Sequence, residues 1–493
     1  MAKRATIVGS GPNGLAAAVA LARAGYSVRV LEASSTAGGG VRTAELTLPG
    51  FRHDIGSAVH PAALSSPFFR AFRLRDRIDW VTPEVSYAQP LDGGRAGIAW
   101  RDIDRTADGL GPDARAWLAV LRPLSSHLDA VVDFTGSQLL RMPRHPLTTV
   151  RFGLRVLQLG SLLGRGTFTT EAANALLAGV FAHANTRLPS IGAAASGLFL
   201  AAHAHAGDGW AYPRGGAQRI ADALIADLRA HGGEVVTDHH VTSLHRLGGL
   251  DALDWGDPAA GDVLLLDTSP RLLLTHPDIP AAYARAIRRY RYGAAAAKVD
   301  FALDGPIPWD NADVARSPTV HLGGTRAEVE AGENAVARGG VGRRPYVLAV
   351  QPCVLDPTRA PSGKAVLWAY IHVPADSPLD PTELVTRQVE RFAPGFRDRI
   401  LASHAMTAAE RVAFNPSDIG GDILGGAFSL VQAIRRPVVS TTPWRTPMPG
   451  VYLASASTPP GPGVTGMPGW YAARQAIDDA GAGLLDPADL FGA

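Results

Sequence analysis

One cysteine, Cys353, in 493 residues rules out an internal disulfide and any CxxC redox pair. Lysine is almost as scarce: Lys3, Lys298 and Lys364 are the only three, and arginine carries nearly all the positive charge. Charged residues make up 19% of the chain against a usual quarter, and hydrophobic residues 46%. That balance excludes a disordered chain and points to a large apolar interior or cavity. A net charge of only +2 excludes the basic footprint of a nucleic-acid binder. No group of cysteine and histidine has zinc spacing, so no metal site is expected. Long apolar runs are missing too. Residues 188–207 hold no Asp, Glu, Lys or Arg, but glycines break the stretch and His203 and His205 lie in it. It reads as a core or cavity-lining helix, not a membrane span. No tandem repeat is present.

What the chain does have begins at once. Ala5-Thr6-Ile7-Val8 reads as a buried strand, and Gly9-Ser10-Gly11-Pro12-Asn13-Gly14 as a glycine turn. Leu15 to Gly25 has helical spacing, and Ser27 to Leu31 reads as a second strand ending on Glu32 and Ala33. A dinucleotide needs each part. Gly9 makes the tight exit, Gly11 admits a pyrophosphate and Gly14 lets the helix pack on the sheet. The helix start offers N–H groups and partial positive charge to phosphates. Glu32 is placed to accept both hydroxyls of an adenosine ribose.

A second glycine cluster, Gly38-Gly39-Gly40-Val41-Arg42, follows closely. A simple nicotinamide domain has no use for it, whereas the longer body of FAD does, lying against bare backbone. Gly56-Ser57 and His60 could pass beneath a ring system. Near the C-terminus, residues 450–457 read as a strand with a small, polar exit through Ser457 and Thr458. A proline-rich loop leads from there to Gly466, Met467 and a helix opening with Trp470 and Tyr471. A helix start aimed at a flavin pyrimidine would stabilise the charge that reduction places there.

These three pieces together resemble the phytoene desaturase-like FAD-dependent oxidoreductases, and within them bacterial relatives of the pyridine nucleotide-disulfide oxidoreductase domain-containing proteins. The similarity covers almost the whole length and includes Tyr212-Pro213-Arg214-Gly215-Gly216. It implies non-covalent FAD and nominates Val241 for a backbone contact to the adenine. Ser455, Ser457 and Pro462 stand where the family commonly has glycine, and Pro459 where it often has histidine. Substrate contacts near the ring therefore cannot be copied from carotenoid desaturases.

The fold class expected is α/β: a Rossmann-like FAD-binding domain of the glutathione reductase/amine oxidase type with an inserted α+β substrate domain. The cofactor pieces lie at both ends and in the middle, so the FAD domain is assembled from residues 1–80, 205–300 and 425–493. Residues 81–204 and 301–424 form the substrate domain, with a helical subdomain. Residues 346–350 and 366–370 read as its strands, and residues 331–344 as an exposed insertion. The expected activity is hydride transfer from a hydrophobic, isoprenoid or lipid-like substrate to flavin N5, as a dehydrogenase or desaturase. Oxygen, a quinone or another acceptor would take the electrons, since no second dinucleotide unit is visible. A flavin oxidase or a non-redox isomerase on the same scaffold is the alternative. A non-enzymatic prenyl or lipid carrier is disfavoured by the intact Gly9, Gly11, Gly14 and Glu32. Proton acceptors are sought among His60, His203, His205 and Tyr212, with His183, Trp470 and Tyr471 as pocket residues. The pocket itself is expected to be elongated and apolar, bounded by residues 181–205 and 301–370. The first strand leaves no room for a secretory signal, so a cytoplasmic protein is expected. Peripheral membrane contact stays open.

Overall fold

In the computed structural model, which describes residues 2–244 and 253–492, five parallel strands form the sheet that the N-terminal pattern calls for. Part of the 205–300 segment and the extreme ends of 1–80 and 425–493 lie outside the described residues. The spatial order is Val451–Leu453, Val263–Leu266, Arg4–Val8, Ser27–Leu31 and Glu234–Val236. Such strands, covered on both faces, read as continuous apolar runs, and Val263-Leu264-Leu265-Leu266 is one. The chain leaves Arg4–Val8 toward one neighbour, Ser27–Leu31, and returns on its other side with Val263–Leu266. The strand order therefore switches at the carboxyl end of Arg4–Val8, where ligands bind in open α/β sheets. The helix Pro12–Arg23 is buried from Asn13 to Ala22, and its alanines let a second helix, Met467–Ile477, lie against it. Contact is so close that a Cβ on Gly469 would sit 1.7 Å from the Asn13 carbonyl oxygen.

The second sheet has seven strands, ordered Ile400–Met406, Ala295–Leu303, Ala365–Val373, Val347–Val350, Thr319–Leu322, Val85–Pro90 and Ala96–Trp100. All neighbours are antiparallel except Thr319–Leu322 beside Val85–Pro90. The strand Ala295–Leu303 belongs wholly to this sheet, so residues 295–300 pair in the seven-stranded sheet and not in the five-stranded one. Four helices pack into one apolar layer with the sheet: Ala114–Ser125, Pro146–Leu159, Glu171–Ala182 and Ile191–Ala204. The expected exposed insertion at 331–344 begins instead as the end of a helix, Arg326–Val336, started by a Thr325/Glu328 capping box, whereas residues 337–340 are exposed. Its Glu333 is buried and accepts from the His372 ring at 2.9 Å. Polarity along 331–344 concealed this, because the charge that looked solvated has a buried partner. A buried ion pair, Arg359 Nη2 to Asp54 Oδ2 at 2.8 Å, ties residues 52–54 to the loop before Ala365–Val373.

Candidate flavin and substrate site

The two glycine clusters meet backbone to backbone. A Cβ on Gly14 would lie 2.2 Å from the Gly9 carbonyl oxygen, and one on Gly39 would lie 2.8 Å from the Gly11 Cα. On Gly40, by contrast, a Cβ would meet nothing within 4 Å, so that residue opens into free space. Glu32, nearly buried, holds the turn: its Oε2 accepts from the Ser10 amide at 3.0 Å and from the Ser10 hydroxyl, and its Oε1 from the Ser34 amide at 2.8 Å. The Ser10 hydroxyl in turn accepts from the Gly38 amide at 3.0 Å. A carboxylate offers about four acceptor positions. Three are used, so one remains for a ligand hydroxyl where two were expected.

The helix start is less open than the sequence implies. Asp267, directly after Val263–Leu266, accepts the Gly14 amide at 2.8 Å, and its carboxyl would touch a Cβ on Gly11 at 2.5 Å. The side chain keeps some solvent access, yet the surrounding protein desolvates it and raises its pKa well above the carboxylate range, with Glu32 adding to the effect. An acid ending a buried strand at the switch point was the available signal for this residue.

A cavity of about 660 Å³ begins at this cradle, with Pro12, Asn13, Gly40, Val41, Gly56 and Ser57 on its wall. Thr465 and Met467, at the start of the C-terminal helix, also face it, so two helix N-termini converge on one space. Asn13 Oδ1 and His60 Nε2 are buried on this wall without any protein partner. Two orphaned polar atoms, a glycine that opens inward and paired helix starts fit an elongated anionic cofactor. The cavity then continues past residues 183–200 and 319–370. Two further walls, residues 132–156 and 411–436, were not expected from the sequence.

Polar groups along the cavity are few and mostly tied. His60 Nδ1 lies 3.3 Å from the Ser57 hydroxyl, and burial pushes its pKa down to about 4. His183 Nε2 is 2.9 Å from His321 Nε2, and burial lowers its pKa to about 3. Asp418 accepts from Arg411 at 2.8 Å and Asn415 at 2.7 Å, yet desolvation still raises it to about 6. The Arg436 guanidinium donates to the carbonyls of Ala456 and Leu424. Below Trp368, which lines the cavity, a buried Lys298–Asp300 pair stands beside His53. Sequence reasoning passed over Lys298, although a lone lysine in a strand of alanine, valine and phenylalanine was a visible signal.

Several nominated residues lie off the cavity wall. His203 stands one layer back, its Nε2 2.8 Å from the hydroxyl of Ser65, which does face the cavity. His205 is fixed between the Trp100 carbonyl at 2.7 Å and the Trp117 indole at 3.2 Å. Tyr212 donates to the Pro352 carbonyl at 3.0 Å. Trp470 packs on Phe68 in the apolar core around the five-stranded sheet, and Tyr471 packs on Trp444 and donates to the Gly136 carbonyl. For these five, burial found a structural partner before any ligand could. Ser457 and Thr458 are buried and bond to Gly425 and Ser455, and Gly466 caps the C-terminal helix. Arg42 donates to the Gly39 carbonyl at 3.0 Å and covers the Phe414 ring. Ala33 follows Glu32 but is exposed, and Val241 packs beside the cluster containing Val8 and Leu31.

A family model for flavin containing amine oxidoreductases matches residues 13–473. The chain belongs to that family. It is an FAD-dependent oxidoreductase, and FAD is its cofactor. Pyridine nucleotide-disulfide oxidoreductase domain-containing protein 2 of Rattus norvegicus is 29% identical over 304 residues, which are 55% of this chain and 51% of that protein. The Mus musculus protein of the same name is 28% identical over the same length. The chain thus matches about half the length of these relatives. Among solved structures, an oxidoreductase from Methanosarcina mazei superposes with a TM-score of 0.61 at 16% identity, covering 96% of this chain and 100% of that one. Cyclohexylamine oxidase from Brevibacterium oxydans IH-35A gives 0.58 at 16% identity, covering 97% and 100%. At such identities the likeness establishes the fold.

Proposed function

We propose that this family member is a dehydrogenase for a lipophilic, chain-shaped substrate, isoprenoid or lipid-like, and that oxygen, a quinone or another acceptor takes the electrons. One observation carries the reading. Beyond the cradle the wall is Phe134, Phe152, Val156, Phe199, Leu200 and Phe428, and Asp418 is the only carboxylate among the described lining residues. That carboxylate is already bound by Arg411 and Asn415. A cationic amine would find no free counter-ion here, whereas an apolar chain gains about 25 cal/mol per Å² buried, before association costs.

FAD, when bound, supplies the two-electron acceptor. The chain's own residues supply the rest. Asn13, Gly40 and Gly56 hold the cofactor's body, with Glu32 giving its remaining acceptor position to the ribose. The phenylalanine-rich wall excludes water and orients the substrate. His60, neutral near pH 7 and unpartnered at Nε2, is the group on the wall that can take a proton or a hydrogen bond. Cys353 packs with Leu48 and Phe51 away from the cavity, where it cannot form a thioether to the flavin, and acid precipitation should release the flavin to the supernatant.

The test is anaerobic mixing of the purified yellow protein with candidate substrates while flavin absorbance is followed. Bleaching by lipophilic alkenes or ketones and not by polar amines is the expected result. Rapid bleaching by amines alone would overturn the proposal in favour of an amine oxidase.

A further inference from the structure

The helix Pro146–Leu159 is apolar on two sides. One side, with Phe152 and Val156, lines the cavity. The other carries Leu147, Val150, Leu154 and Leu157, at helical spacing, and all are exposed: Leu147 by 76% and Leu154 by 61%. Leu162 and Leu163 extend this face, exposed by 66% and 81%. A second short element repeats the arrangement. In Leu430–Ile434, Leu430 and Ala433 line the cavity while Val431 is 71% exposed. The two elements are linked by contact: Gly160 abuts Ile191, and Gly192 abuts Phe428. The outward apolar residues therefore lie on the outer side of two elements whose inner residues line the cavity.

The segments that form this face carry an excess of positive charge. Residues 134–170 contain five arginines (Arg141, Arg144, Arg151, Arg155 and Arg165) and no Asp or Glu. Residues 423–477 likewise contain no acid, and Arg435 stands beside the exposed Val431. Arg141 and Arg144 pair with Asp133 and Arg165 with Glu330, which leaves Arg151, Arg155 and Arg435 without an acidic partner among the described residues. Exposed leucines beside such arginines are the composition of a surface that lies in a lipid interface and faces anionic headgroups. A second copy of the chain fits poorly, because a two-fold contact would bring arginine against arginine. Among the described residues no helix is long and apolar enough to cross a membrane.

We propose that this face docks on an anionic bilayer surface, with Leu147, Leu154, Leu157 and Val431 entering the headgroup–acyl boundary and the cavity mouth set against the lipid. The inference rests on the exposed face and not on turnover, so it can fail while the lipophilic-substrate reading stands, and the reverse. The FAD-loaded protein is co-sedimented with vesicles of phosphatidylcholine alone or mixed with phosphatidylglycerol, at low and high salt. Binding is expected only with phosphatidylglycerol and is expected to weaken with salt. Arg151→Gln and Arg155→Gln should each weaken it roughly five-fold, as loss of one charge near an anionic surface does. The pair Leu154→Glu and Leu157→Glu should abolish it while flavin absorbance and monomer size stay unchanged. Equal binding by wild type and by these variants would overturn the proposal. So would no binding to any vesicle, or self-association of the wild type that Leu154→Glu and Leu157→Glu remove.

Discussion

Asp267 places its carboxyl on the backbone N–H of Gly14, 2.8 Å away, inside the turn where the family binds an anion. Burial raises its pKa, so the neutral form is favoured and the turn carries less negative charge than its residues suggest. As pH rises through that raised value the group ionises, and any stability gained from its protonation is lost in the same interval. A like charge at contact range costs about 1 to 4 kcal/mol between bulk and surface dielectric. FAD affinity of the wild type should therefore fall as pH rises, while Asp267→Asn should keep a flat profile. Fluorescence titration of the apoprotein with FAD from acid to alkaline pH measures both. Parallel profiles for the two proteins would show that Asp267 does not sense the cofactor.

Glu32 secures the same turn by three hydrogen bonds, two of them to Ser10. Alanine in its place leaves the Ser10 and Ser34 amides without that acceptor and removes the remaining site for a ribose hydroxyl. Hydrogen bonds to a charged group contribute about 1.5 to 3 kcal/mol each. Glu32→Ala should lose FAD on dilution and gel filtration, whereas Glu32→Gln should retain part of it. Undiminished flavin absorbance in Glu32→Ala after gel filtration would contradict the role assigned to the carboxylate.

The cradle was legible because a pyrophosphate constrains backbone, and backbone constraint appears in sequence as glycine at fixed spacing. Gly9, Gly14 and Gly39 stand where any Cβ would collide. The strands Val347–Val350 and Ala365–Val373 were equally visible as short apolar runs between turns. Cavity walls follow another logic. Phe152, Phe199 and Phe428 meet from three distant segments, and nothing in the local pattern of any one reveals the other two. Histidines misled for a related reason. His203 continues the helical stripe of Gly192, Ser196 and Phe199, but Ser65 stands between it and the cavity. Periodicity finds a face; it does not find where the face stops being wall.

Six histidines, among them His321 with its pKa well below the usual value, set an acid limit on the fold. Burial lowers His53 and His183 to about 3 and His60, His203 and His205 to about 4. Each folded value lies below the unfolded value near 6.5. Stability is therefore complete above about pH 6.5 and declines as pH falls toward the folded values. By pH 5 each group costs about 2 kcal/mol, at about 1.36 kcal/mol per unit. Asp418, raised to about 6, and Asp267, Asp300 and Asp422, also raised by burial, act in the opposite sense and offset part of this decline. Thermal melts should drop steeply between about pH 6.5 and pH 5. His205→Phe, which removes one titrating ring within a core that already holds Trp117 and Phe168, should move the decline to lower pH. An unchanged Tm across that interval would mean the histidines titrate freely in the folded chain.

The Lys298–Asp300 pair offers the sharpest separation of charge from packing. Both side chains are almost fully buried, Lys298 at 3% and Asp300 at 1% exposed, and they bond directly to one another. Burial lowers the lysine and raises the aspartate, and each opposes that change in the other. Asp300 Oδ1 and His53 Nδ1 lie 3.6 Å apart without a hydrogen bond, so the histidine cannot replace the lysine as donor in this arrangement. Removing one partner from a buried pair costs about 3 to 5 kcal/mol, whereas replacing both with apolar residues of similar volume is close to neutral. Lys298→Met should therefore lower Tm strongly, and Lys298→Met with Asp300→Leu should recover most of the loss. If the double variant folds well but its flavin is no longer reduced by substrate, the pair acts on the cavity through Trp368, whose ring lies 5.8 Å from the lysine nitrogen. If the double variant is as unstable as Lys298→Met, the pair holds the strands Ala295–Leu303 and Ala365–Val373 together in a way that apolar packing cannot replace.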